Sequence, residues 1–149
     1  MEPDTIDMFS EISASFRAAL QRTAVLKELS LPAYQARLIT LALRNPGLSQ
    51  QKLADITERD KAQVARSLRE LDDRGLITRK PHPSNARAIG VWVTDAGFST
   101  ATRLLAERQK LAIKLLAVLS EQEKRALESA LSRFRTALKD EADGGERSL

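Results

Sequence analysis

The chain has 149 residues, of which 30% are charged and only 4% aromatic, with no cysteine and a formal net charge of +4. That length fits a single domain, and the lack of cysteine excludes disulfides, thiolate metal sites and a cysteine redox sensor. Few aromatics beside plentiful Leu and Ala favour an α-rich fold over a β sandwich, and no apolar run approaches the roughly 18 residues of a membrane span.

The N-terminal MEPDTIDMF has no basic region followed by an apolar one, so it does not read as a signal peptide, and a cytoplasmic protein is expected. Residues 4–29 read as one helix, because Ile6, Phe9, Ile12, Phe16, Leu20, Val25 and Leu29 recur at three- to five-residue steps. Ser30 is placed to cap the next helix, and Pro32 suits its first turn. That helix reaches Arg44 with Leu38, Ile39, Ala42 and Leu43 apolar, and Asn45-Pro46-Gly47 stops it. Ser49 can cap a short helix containing Leu53, Ala54 and Ile56, with a turn at Thr57-Glu58-Arg59.

The next helix, over residues 60–73, is the centre of the chain. Asp60 can cap it, and Val64, Leu68 and Leu71 form one narrow apolar stripe. Its other side carries Lys61, Gln63, Arg66, Ser67 and Arg69, and Gly75 is free to end it at positive φ. A strand over 76–79, a polar turn over 81–85 and a β-rich run over 87–93 make a hairpin. A long helix follows from Thr94-Asp95 to about residue 119. Ser120 and Glu123 form an S-x-x-E capping box that opens a final helix with Leu127, Leu131, Phe134 and Leu138. A disordered tail is expected over 141–149.

Charge is placed unevenly. Residues 1–48 are neutral, residues 49–90 carry nine basic and six acidic side chains, and the remainder adds +1. The excess lies where a phosphate-facing surface would need it. A helix with an apolar back and a Lys/Gln/Arg front suits a DNA major groove. Gln63 can pair with adenine edges and Arg66 with guanine, and Ala62 and Ala65 allow close approach to a thymine methyl. Lys61 and Arg69 complete that front, Lys61 facing a phosphate. Arg87, beside Asn85 in the hairpin, is the minor-groove candidate, the competing role being a salt bridge to Asp72 or Asp73. Arg79 and Lys80 flank the strand as phosphate contacts, and Ser49 and Gln50 can present backbone N–H groups at a helix start. The apolar faces left over on the first and last two helices point to a dimer.

No nucleophile–base constellation, metal-ligand cluster or phosphate-cradling Gly loop is present, the lone His82 is no metal site, and neither enzymatic activity nor a cofactor is expected. The alternative to sequence-specific regulation is a winged-helix protein-interaction module or a non-specific DNA-binding protein.

Four segments, NPGLSQQKLAD, DKAQVARSLRELDDRGLITR, ARAIGVWVTDAG and LSEQEKRAL, stand in the order and spacing in which the chain resembles the MarR family of winged helix-turn-helix transcription regulators over nearly its whole length. The resemblance implies a mainly α fold with a small β-hairpin wing. It divides the chain into dimerisation helices over 1–31 and 95–140 and a winged helix-turn-helix core over 32–94. It further implies an obligate homodimer on a pseudo-palindromic double-stranded DNA operator, repressing nearby genes until a small aromatic or anionic effector binds. Tyr34, Arg37, Trp92 and Arg103 are the effector-pocket candidates that the resemblance implies. Two departures concern the wing. The family commonly carries an aspartate two positions before the wing arginine, where this chain has Asn85 before Arg87, and Asp-Pro where it has His82-Pro83.

Overall fold

The computed structural model describes residues 4–146. Asp4 opens α1 (Thr5–Gln21), its carboxylate accepting a hydrogen bond from the Ile6 N–H at 3.3 Å. The helix does not run on to residue 29 as the apolar steps predict. Thr23 is extended, and α2 (Ala24–Leu29) starts afresh. The spacing supplies the reason: the five-residue step from Leu20 to Val25 turns about 140° off the apolar stripe. A restart re-phases the chain, so that Leu26 enters the core with Val25 and Leu29 packed against it.

Ser30, expected to cap the following helix, instead closes α2 in the left-handed conformation at φ 48°. Only the buried Leu31 separates it from Pro32, which takes the N-cap position of α3 (Ala33–Arg44). A reversal that tight requires a positive φ. Beyond Asn45 the chain forms β1 (Leu48–Ser49) and then α4 (Gln50–Thr57), which Ser49 caps by accepting from the Lys52 N–H at 3.0 Å. Glu58, also left-handed at φ 53°, ends α4. Asp60 then caps α5 (Lys61–Asp73), its carboxylate accepting from the Ala62 N–H at 3.3 Å. Gly75, at φ 72°, follows the end of α5 as the sequence predicts.

β2 (Ile77–His82) and β3 (Asn85–Val93) form the hairpin, and β1 adds to it in the antiparallel order β1-β3-β2. The expected polar turn over 81–85 contracts to Pro83-Ser84, because Pro81 and His82 pair within β2 and Asn85 begins β3. β1, which was not expected, is two residues long and pairs Leu48 with Val91 and Ser49 with Gly90. The hairpin register is regular from Ile77↔Val93 to Pro81↔Ile89 and then jumps to His82↔Asn85, so residues 86–88 bulge from β3. Pro81 has no N–H to donate to the ladder at that point.

Thr94 locks the end of the hairpin to the next helix. Its hydroxyl donates to the Gly75 carbonyl at 2.6 Å and accepts from the Gly97 N–H at 3.0 Å, opening α6 (Asp95–Leu116). Gly97 is required by close approach, since a Cβ there would lie 1.9 Å from the Leu76 carbonyl oxygen. α7 (Glu121–Glu146) opens with the predicted capping box. The Glu123 N–H donates to the Ser120 hydroxyl at 3.1 Å, and the Ser120 N–H donates to the Glu123 carboxylate at 2.7 Å. Where a disordered tail from residue 141 is expected, α7 continues through Gly144-Gly145 to Glu146. Propagating a nucleated helix adds one hydrogen bond per residue fixed, and each glycine costs only about 1 kcal/mol. The rest of that expected tail, residues 147–149, lies outside the described residues.

The chain forms two compact units, the first ending at Gln109 and the second beginning at Lys110. The first has a continuous core in which Leu38, Ile39, Leu53, Leu68, Leu71 and Val91 are fully buried. In the second, Leu127, Leu131 and Leu138 lie along an exposed face of α7.

Candidate nucleic-acid interface

The α5 stripe of Val64, Leu68 and Leu71 is buried to 1% exposure or less, which fixes the rotation of the helix about its axis. Each such side chain contributes roughly 1.5–3 kcal/mol of burial. Lys61, Ala62, Arg66 and Arg69 are thereby turned outward and exposed, with Gln63 and Ala65 half-buried at the margin of that face. Behind it, the buried Gln35 of α3 donates its side-chain N–H to the Glu70 carboxylate. At the far end, the Arg74 guanidinium donates to the Leu29 and Ser30 carbonyls, the latter at 3.3 Å. Those carbonyls stand at the C-terminus of α2, where a helix favours a cation.

The hairpin residues divide between structural and free positions. Arg79 is held to the end of α5: its Nε lies 3.0 Å from the Asp72 carboxylate, in a half-buried ion pair. Asp72 was weighed as a partner for Arg87, and β2 brings Arg79 to it instead. Lys80 is exposed, with its ammonium 4.8 Å from the Trp92 ring centroid, a cation–π distance. Arg87 stands at the middle of the bulge, exposed, and among the described residues no ion pair holds it. Bulges re-aim side chains in this way. The Asn85 side chain accepts from the Arg87 backbone N–H at 3.1 Å, so asparagine still shapes the wing by a turn bond and without charge.

His82 is more than a solvated turn residue. Its Nδ1 accepts from the Ser84 N–H at 3.2 Å, pinning the two-residue turn. Together with Ser49, Lys52, Ser84 and Asn85 it lines a shallow groove of about 330 Å³ between the start of α4 and the wing. The groove thus brings Ser49 and Asn85 together, while half-buried Gln50 begins α4 beside them.

The four effector-pocket candidates do not converge. Tyr34 and Arg37 both line a cavity of about 790 Å³ in the first unit, within the size range of small-molecule sites. Trp92 lies elsewhere, its indole against Gly47 and Gly90, where a Cβ on either glycine would meet the ring at 3.1 Å or 2.5 Å. Arg103 points to α2, with Nη2 2.7 Å from the Glu28 carboxylate.

The cavity has a character that the candidate set missed. Five arginines line it (Arg17, Arg37, Arg44, Arg59 and Arg108) beside one carboxylate, Glu107, with Phe16, Leu20, Leu41, Leu104 and Leu105 as apolar walls. Part of this was legible, since Tyr34, Arg37, Leu41 and Arg44 repeat at three- and four-residue steps on α3. Arg59 carried no such signal, because it reaches the cavity from the turn between α4 and α5. Its guanidinium carbon sits 4.8 Å from the Tyr34 ring centroid.

Comparison with known proteins places this architecture. The model of the MarR family matches residues 31–89. The uncharacterized HTH-type transcriptional regulator YdgJ of Bacillus subtilis (strain 168) is 31% identical over 98 residues, 66% of this chain, and the match spans only 60% of YdgJ's own length. The crystal structure of the transcriptional regulator SlyA superposes with a TM-score of 0.81 at 26% identity, covering 93% of this chain and 96% of that one. The S. aureus MepR–DNA complex shares the fold at a TM-score of 0.78 and 20% identity, covering 92% and 99%.

Proposed function

We propose that this chain, which belongs to the MarR family of winged-helix transcriptional regulators, binds double-stranded DNA sequence-specifically as a homodimer. In this reading it represses nearby genes until a small anionic or aromatic effector occupies the arginine-lined cavity. The carrying observation is the α5 face: Lys61, Ala62, Arg66 and Arg69 are exposed together because Val64, Leu68 and Leu71 are locked into the core. α5 enters the major groove, with Arg66 and Gln63 reading base edges and Ala62 and Ala65 admitting the groove wall. Lys61, Arg69, Lys80 and the N–H groups at Ser49 and Gln50 meet phosphates. Arg87, carried by the bulge and turned by Asn85, enters the minor groove. Arg79 contributes by anchoring β2 to α5.

Support for DNA as the partner also comes from the fold shared with MepR, whose structure is a DNA complex. The dimerisation segments are 1–31 and 95–140, where Ile6, Ile12, Ile113, Leu127 and Leu131 are exposed. A pseudo-palindromic operator with half-sites about one helical turn apart follows from two-fold symmetry. Among the described residues no helix is long and apolar enough to cross a membrane, and the reading places the protein in the cytoplasm with its DNA.

In-vitro selection from a random DNA pool, followed by salt titration of the winners, tests this reading. A two-fold palindrome whose affinity falls with a log–log salt slope of about −0.9 per phosphate contact is expected. Equal affinity for the selected and scrambled sequences would overturn it.

A further inference from the structure

We propose that Arg59 is a positioning residue of the DNA-reading helix, acting through the Tyr34 ring and not by touching DNA. The inference rests on the DNA-reading role of α5 given above. Arg59 immediately precedes Asp60, the N-cap of α5, and its guanidinium stacks 4.8 Å from the centroid of the Tyr34 ring on α3. α5 is held unevenly along its length. Its C-terminal half has three polar side-chain ties to the rest of the first unit: Glu70 with Gln35 of α3, Asp72 with Arg79 of β2, and Arg74 with the end of α2. The N-terminal end carries Lys61 and Ala62, the residues that lead into a groove. Apart from the apolar packing of Val64 in the core, its one side-chain tie to α3 among the described residues is the Arg59–Tyr34 stack.

Tyr34 is suited to be a platform. Its hydroxyl oxygen is buried and makes no hydrogen bond among the described residues, so the ring face is the part of the side chain that does the holding. Both members of the pair also line the 790 Å³ cavity. An anion bound there would draw on the in-plane N–H donors of the same Arg59 guanidinium whose face lies on the Tyr34 ring. Cavity occupancy and the placement of the α5 N-terminus therefore share one side chain, which is a physical link between a ligand and DNA affinity.

The competing role for Arg59 is a direct phosphate contact, and a double-mutant cycle separates the two. Binding to the selected operator is measured for Arg59→Ala, Tyr34→Leu and the double variant, each across a salt series. Positioning predicts that each single change weakens binding about three- to tenfold, the scale of a partly desolvated cation–π contact. It also predicts that the double variant is no weaker than the worse single and that the salt slope is unchanged. Tyr34→Phe, which keeps the ring, retains wild-type affinity.

A salt slope shallower by about 0.9 in Arg59→Ala, with Tyr34→Leu at wild-type affinity, would make Arg59 a phosphate contact and overturn the proposal. Additive losses would overturn it as well. Hydrogen exchange on the free protein needs no DNA and decides the case even if the wild type selects no sequence. Arg59→Ala and Tyr34→Leu should each speed exchange of the amides at 62–65 while leaving those at 70–74 unchanged. Equal exchange in all variants would mean that the stack holds nothing.

Discussion

The helix-turn-helix and α7 use the same kind of helix to opposite ends. In α5, three apolar residues at helical spacing are buried to 1% exposure or less, and the polar face is presented as a consequence. In α7, Leu127, Leu131 and Leu138 repeat at similar spacing, yet Leu131 remains 39% exposed and none of residues 121–145 is buried. The first stripe is satisfied within its own unit, whereas the second is left for another surface. An apolar stripe therefore reports that a helix face will be covered. It does not say by what.

The largest effect expected from breaking this contrast is in the core. Leu68→Ala should cost about 2–5 kcal/mol, as cavity-forming core truncations do, read as the shift in a urea unfolding curve. A cost under 1 kcal/mol would mean that α5 is not seated as described. The same kind of change on the other stripe should act on association. If α7 contributes to the proposed dimer, Leu131→Ser should raise the dimer dissociation constant about ten- to a hundredfold by sedimentation, the equivalent of one buried leucine. An unchanged constant would remove α7 from the interface.

Smaller effects sharpen the comparison at the outward face of α5. Arg66→Ala should leave stability within about 0.5 kcal/mol but relax base preference at one operator position by about 1–3 kcal/mol, seen as a degenerate column when selection is repeated. An unchanged consensus would remove Arg66 from base reading. The smallest change is expected at Arg103→Ala. The Arg103–Glu28 pair is 2.7 Å long but mostly solvent-exposed, so its loss should cost between 0 and 1 kcal/mol in the same urea assay. A larger loss would show that this pair ties α6 to α2.

Much of the site was legible because it depends on local periodicity. Asp60, Val64, Leu68, Leu71 and Gly75 together define where α5 begins and ends and which side is free. The Ser120–Glu123 box was equally legible, since both of its hydrogen bonds close within one turn. The ion pair of Arg79 was not legible, for the opposite reason. Its partner Asp72 lies on a different element, and only the path of β2 past the end of α5 brings the two charges to 3.0 Å. The place of Trp92 against Gly47 was not legible either, because β1, which brings that turn beside β3, is two residues long and too short to leave a pattern.

The sequence alone carried the resemblance to the MarR family in four segments, and it determined the order of the main elements and the polar front of α5, which follow from spacings of three to seven residues along one chain. Tertiary structure decided the bulge that carries Arg87 and the convergence of five arginines on one cavity. Arg17, Arg37, Arg59 and Arg108 come from different elements far apart in sequence. Their proximity is set by how apolar faces pack, and no local pattern encodes which polar residues that packing will leave side by side.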